Sequence, residues 1–278
     1  MLPSAERLPA PPRETSAVFA WRLLLSGALS QAGWGLLAGS SLFFWTFVWH
    51  ADLSGWRFRS AAVATASGSV LSCRETAYSV GGSDDESGVR VYENTYRYQA
   101  GGATFAGRSY ATGLCLTGSP VTVEYLAATP AYSRIQGMRR HEMPPATSLV
   151  GILPLGAIVL IVAGRRKGRL RLRLYRDGVA AATRIADSQP TNASVNERVV
   201  WRVTLEFTTR GGTPARTNVR TNDPGSLRDE SRRTVLYDPW EPATALPLGD
   251  FAPPRAVFLL PLLTVAVNAV CVAVLRPW

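Results

Sequence analysis

Hydrophobic residues in this chain gather into three uncharged runs, and between the runs they alternate with polar ones. The central run, "PPATSLVGILPLGAIVLIVAG" at 144–164, stops abruptly at "RRKGRLRLRLYR". At about 1.5 Å of rise per residue, about 20 helical residues match a hydrocarbon core of about 30 Å. The pattern predicts a transmembrane helix over 144–164 with a basic stop behind it. A second is predicted over 23–49, between Arg22 and His50, and a third over 255–275, kinked at Pro261. A signal peptide is the rival for the first of these in chain order, because Arg22 precedes an apolar run and "ALSQA" could pass for a cleavage site. The run continues past that site into Phe43, Phe44, Trp45, Phe47 and Trp49, an interfacial aromatic belt that favours a retained anchor.

The stretches between the runs have the period of strands. In "VYENTYRYQAGGATFAG", Tyr92, Tyr96 and Tyr98 recur at even spacing before a Gly101-Gly102 turn. In "WRVTLEFT", Trp201, Val203, Leu205 and Phe207 face one way and Arg202, Thr204, Glu206 and Thr208 the other; "PARTNVRTN" returns as the hairpin partner. Residues 51–143 therefore form a first β domain, and 165–252 a basic juxtamembrane segment followed by a second. Within that segment, Arg and Leu alternate from Arg169 to Leu174, which fits a strand or a helical extension of the span. Residues 1–20 begin with a proline-rich, aperiodic stretch and are expected to be a disordered tail.

The two β segments look like copies of one unit. Tyr125, Pro130 and Gly137 are spaced as Tyr237, Pro242 and Gly249 are, and "YRYQAGG" has its counterpart in "LEFTTRGG". The predicted fold class is thus three transmembrane helices with two small antiparallel β-barrel or sandwich-like domains forming an internal repeat. With "VTVEYLAATPAYSRIQG" and the span after it, these motifs resemble the bacterial membrane proteins of domain-of-unknown-function family 3592. The resemblance is best over 57–165 and extends to 175–248. It implies a small β domain held between transmembrane helices, with no established activity and no catalytic residues to carry over. This chain departs from the simplest family pattern in its second copy and third span.

Charge orients the layout. The formal net charge of +10 raises nucleic acid as a partner, but the basic residues are scattered apart from one cluster, and that cluster abuts a span. A membrane is the expected partner instead. With the N-terminus inside, the inner flanks hold Arg7, Arg13, Arg22, Arg255 and the cluster from Arg165 to Arg184; the outer flanks hold Arg57, Arg59, Arg134, Arg139, Arg140 and Arg276. The expected location is the bacterial inner membrane, with a cytoplasmic tail, an extracytoplasmic first β domain and a cytoplasmic second one. Arg139 and Arg140 run against this. In the basic run, Arg165, Arg166, Lys167, Arg169, Arg171 and Arg173 are candidates for contact with anionic lipid, beyond their topogenic role.

Candidate chemistry is sparse. Of three cysteines, Cys73 and Cys115 fall in the segment assigned outside, where thiols tend to pair, and Cys271 lies in the third span. The two histidines, His50 and His141, both border the membrane and would be the centre of any membrane enzyme, but two ligands make a poor metal site. Asp84, Asp85 and Glu86 lack the ligand spacing of a calcium loop. Asn192-Ala193-Ser194 is a formal glycosylation acceptor on the side assigned to the cytoplasm. There is no phosphate loop, dinucleotide fingerprint or nucleophile elbow. No cofactor, metal or enzymatic activity is expected. The expected role is a scaffold or binding protein; the alternatives are an accessory or sensory subunit coupling the two β domains, and an enzyme with its site near His50 and His141.

Overall fold

The computed structural model of the chain describes residues 8–81, 88–113, 116–195, 197–223, 225 and 234–275. Asp84, Asp85, Glu86 and Cys115, and the flanking Arg7 and Arg276, lie outside the described residues. The chain divides into two compact units, Gly39–Pro154 with Val267–Trp278 and Met1–Ala38 with Leu155–Ala266.

The first unit is built on five antiparallel strands, β1 Val63–Val80, β2 Val89–Ala100, β3 Ala103–Thr112, β4 Pro120–Leu126 and β5 Thr129–Ile135, in the order β3-β2-β1-β4-β5. Tyr96 and Tyr98 face inward as their spacing predicts, and pack with Val70, Val123, Ile135 and Met138. Tyr92, nearer the start of β2, is only half-buried, and its neighbour Val91 is fully buried. The β2–β3 turn needs two positive φ angles, 55° at Gly101 and 78° at Gly102, a geometry that glycine adopts without steric penalty. The edge strands meet along a seam. Ser109 Oγ accepts from Ile135 N at 2.8 Å, and Tyr110 and Arg139 exchange backbone hydrogen bonds at 2.8 and 3.0 Å.

The second unit carries five antiparallel strands, β6 Val179–Val195, β7 Arg198–Thr208, β8 Pro214–Thr221, β9 Thr234–Tyr237 and β10 Ala245–Pro247, in the order β10-β9-β6-β7-β8. The alternation in β7 is realised: Val203, Leu205 and Phe207 are buried and pack with Val235 and Tyr237. Here the seam is a hydrogen bond from Thr217 Oγ1 to Ala245 O of 3.1 Å.

Read by register, the sheets agree in detail. The long strand β1 pairs with β4 near its start and with β2 beyond it; β6 pairs with β9 and β7 in the same way. Each long strand is bulged twice, at Val70/Ser72 and Glu75/Ser79 in one and at Ile185/Asp187 and Pro190/Ser194 in the other, displaced by the same number of positions. Inside the second bulge Thr76 Oγ1 donates to Val91 O at 2.8 Å, as Thr191 Oγ1 does to Val200 O at 2.6 Å. Tyr125 pairs with Ser133 as Tyr237 pairs with Ala245, and the ring pairs Tyr98–Tyr125 and Phe207–Tyr237 are 5.6 and 5.2 Å apart. Pro130 lies inside β5.

The helices are α1 Ala17–Leu25, α2 Ala28–Phe43, α3 Ser54–Ser60, α4 Ile152–Asp177 and α5 Leu259–Leu275. Two helical stretches, Pro145–Asp177 and Ala256–Val274, are long and apolar enough to cross a membrane, and only 11% and 17% of their apolar windows are buried, unlike the core helix of a soluble domain. The predicted span over 23–49 is not one helix. It breaks at Ser26 and Gly27, and a five-residue π-helical turn, Phe44–Val48, follows α2. Polar side chains take the carbonyls that the break frees: Ser26 Oγ donates to Leu23 O at 3.1 Å and Gln31 Nε2 to Leu25 O at 2.8 Å. The expectation of three continuous spans is corrected accordingly.

The basic run is helical, the last turns of α4, and not a strand. Its continuation rests on a close-packed face. A Cβ on Gly164 would lie 2.5 Å from Ser30 N, and one on Gly168 2.7 Å from Leu24 Cα, so only glycine lets α4 approach α1 and α2 this closely. The tail also differs from expectation. Residues 17–20 are helical, and Arg13 is buried and bonded to the end of α4.

Candidate functional site

A cluster of buried polar side chains lies in the first unit, where the chain leaving the π-helical turn meets the chain leaving β5. Ala51 and Met143 form a parallel bridge, fastened by Asp52 N to Met143 O at 2.9 Å and Met143 N to His50 O at 3.0 Å. Asp52, 6% exposed, accepts from Ser54 N at 2.8 Å and from Arg140 N at 2.9 Å. His50, 7% exposed, sets Nδ1 3.2 Å from Glu142 Oε2, and its ring lies 5.2 Å from that of Tyr78. Beside them Tyr110 Oη donates to Glu93 Oε2 at 2.9 Å.

The electrostatics follow from burial and these partners. Burial alone would raise the Glu142 carboxyl, but hydrogen bonds from His50 and from its own backbone, with the charges of His50 and His141, outweigh it and hold the group below the ordinary carboxylate value. The Tyr110 hydroxyl is pushed up, first by burial and then by the negative charge of Glu142 and by Glu93. Tyr78 rises for the same reasons, burial first and then Glu142. The carboxylates of this junction thus serve structural donors. Three buried polar atoms, His50 Nε2, Ser54 Oγ and Arg140 Nη1, have no protein partner. Arg140 stacks its guanidinium 3.6 Å from the centre of the Tyr132 ring.

The His50 ring contacts Glu142 and Tyr78, while His141 is exposed and acts on Glu142 through its charge. Among the described residues no group of three or more His, Cys, Asp or Glu side chains could hold a metal. Cys73, on β1 opposite Asn94, is disulfide-bonded; its expected partner, Cys115, is outside the described residues, and Cys271 is a buried free thiol. Within the basic run, Arg166, Lys167, Arg169 and Arg173 are exposed and Arg165 and Arg171 half-buried. Arg173 pairs with Asp238 at 2.8 Å, so this arginine is not wholly given to solvent or lipid.

Several contributors escaped the pattern of the sequence. Arg13 donates through Nη1 to Tyr175 O at 2.7 Å and Gly178 O at 2.9 Å, capping α4, and burial lowers its pKa against the opposing effect of Tyr175. No local pattern announces this contact. Gly164 and Gly168 were findable as a G-x-x-x-G spacing. Asn268, inside the third apolar run, accepts from Trp45 Nε1 at 3.0 Å and donates to Ser41 Oγ at 2.9 Å. No protein-family model, curated protein or solved structure matches this chain.

Proposed function

We propose that this chain is an integral protein of the bacterial inner membrane whose two β units, copies of one ancestral unit, act as a non-enzymatic scaffold or binding module. The observation that carries the membrane reading is the exposure of apolar residues on the long helices: Ile152, Leu155, Val159 and Val162 on α4, and Leu259, Leu262, Val265 and Val274 on α5. In water such faces would be costly; in lipid they need no cover. The duplication is supported by the shared strand order and the matching bulges, and the resemblance to family 3592 fits the same reading.

In this reading α4 and α5 cross the bilayer and α2 with its π-helical turn completes a third, interrupted crossing. The N-terminus is cytoplasmic, the first β unit is outside and the second inside, following the arginine bias. Binding is favoured over catalysis because both oxygens of Asp52, and Glu93 and Glu142, are engaged by donors that hold the fold. Reporter fusions after Gln136 and after Gly249 test the layout. They are expected on opposite sides of the membrane, and the same side for both would refute it.

A further inference from the structure

The matching registers expose one place where the two sheets differ in charge. Across β1, β2 and β3 one cross-strand row is Arg74, Glu93 and Tyr110, exposed at Arg74 and buried at Tyr110. Glu93 sits at its centre, 3.6 Å from Arg74 Nη2 and 3.9 Å from Arg108 Nη1, and takes the Tyr110 hydroxyl. Placed by the bulges, the equivalent row across β6, β7 and β8 is Gln189, Arg202 and Arg220. A guanidinium stands where the first sheet has its carboxylate, and a second one stands directly opposite.

Residues opposed in this way have Cβ atoms about 5 Å apart, and like charges there are destabilising. The adjacent row on this face is Asp187, Thr204 and Asn218, where Asp187 accepts from Ser188 N at 2.8 Å and from Gln189 Nε2 at 2.9 Å, and one row further Glu206 takes Arg184 at 2.6 Å and Arg216 at 3.2 Å. Neither Arg202 nor Arg220 has an ion pair among the described residues, and both are exposed. Arg202 also lines a cleft of about 270 Å³ with Gln189, Pro190, Thr191 and Asn192.

We infer that Arg202 and Arg220 form an anion site on the outer face of the second sheet, and that its occupant is a phosphomonoester group. Two guanidinium forks match a tetrahedral group carrying nearly two negative charges; a single carboxylate would neutralise only one. The inference rests on reading the two sheets as copies of one unit. It is measured in detergent, so its failure leaves the membrane reading standing.

The probe is inorganic phosphate, titrated calorimetrically into the detergent-solubilised full chain at constant ionic strength, with chloride as the control. Saturable binding is expected, about tenfold or more weaker in Arg202→Glu and in Arg220→Gln, since one charge-assisted contact is worth about a factor of ten. Arg184→Gln, in the neutralised row, should bind as the parent does. Reconstitution into phosphatidic acid vesicles, against phosphatidylcholine vesicles, separates the sources: blocked phosphate binding identifies a lipid headgroup, and unchanged binding a soluble phosphomonoester. The inference is overturned if the parent shows no saturable phosphate binding, or if both Arg202→Glu and Arg220→Gln bind phosphate as tightly as the parent.

Discussion

Removing the Arg13 side chain tests whether the N-terminal segment is part of the fold. Arg13 is 5% exposed and donates to Tyr175 O and Gly178 O at the end of α4 and, through Nε, to Pro9 O at 2.8 Å. Its backbone N–H also donates to Arg176 O, a bond that substitution leaves in place. Arg13→Ala therefore abandons two carbonyls at a helix C-terminus, where a cation is already favoured by the dipole. Charge-assisted bonds contribute about 1.5 kcal/mol or more each, and the Pro9 contact is local, so the expected loss is about 3 kcal/mol. Arg13→Lys should lose about 1 to 2 kcal/mol, since an ammonium keeps the charge but cannot reproduce the planar fork. Denaturant unfolding of the second unit in detergent, followed by tryptophan emission, gives the free energies. Proteolysis of the N-terminal segment gives an independent readout and should accelerate in parallel. If Arg13→Ala unfolds within about 0.5 kcal/mol of the parent, the segment is only laid on the surface and the capping argument fails.

Gly168→Leu should cost at least about 2 kcal/mol, because even its Cβ would sit 2.8 Å from Leu24 O; unfolding in detergent measures it, and a neutral result would mean that the helices separate freely. Leu205→Ala opens a cavity in the second β core and is expected to lose about 3 kcal/mol by the same assay. Cys73→Ser removes the disulfide of the first unit and should lower its stability by about 2 to 4 kcal/mol, matched by adding reductant to the parent and absent when reductant is added to the variant. The Glu142 carboxyl is held below its ordinary value of 4.5, so its stabilising contribution is present above that pH and is lost as pH falls through the lower folded value. The stability gap between the parent and Glu142→Gln should therefore narrow as pH falls below about 4.5; a gap that widened over that range would reverse the assigned sign.

Much of the architecture is legible in the sequence because it depends on local periods. Alternation in "WRVTLEFT" put Val203, Leu205 and Phe207 on one face, and a strand period is a property of neighbouring residues alone. The apolar content of 144–164 and 255–275 likewise needs no knowledge of the fold to mark helices able to cross a membrane. Tertiary contacts decided the rest. The first apolar run breaks at Gly27 within a unit where α4 comes close to α1 and α2 through Gly164 and Gly168, and composition within the run says nothing of that partner. Arg13 finds α4 far along the chain, and the alternating arginines become helical because α4 carries them in its last turns. The opposition of Arg202 and Arg220 is likewise a matter of register. Each arginine is unremarked in its own strand, and only cross-strand pairing makes them neighbours without a carboxylate between them.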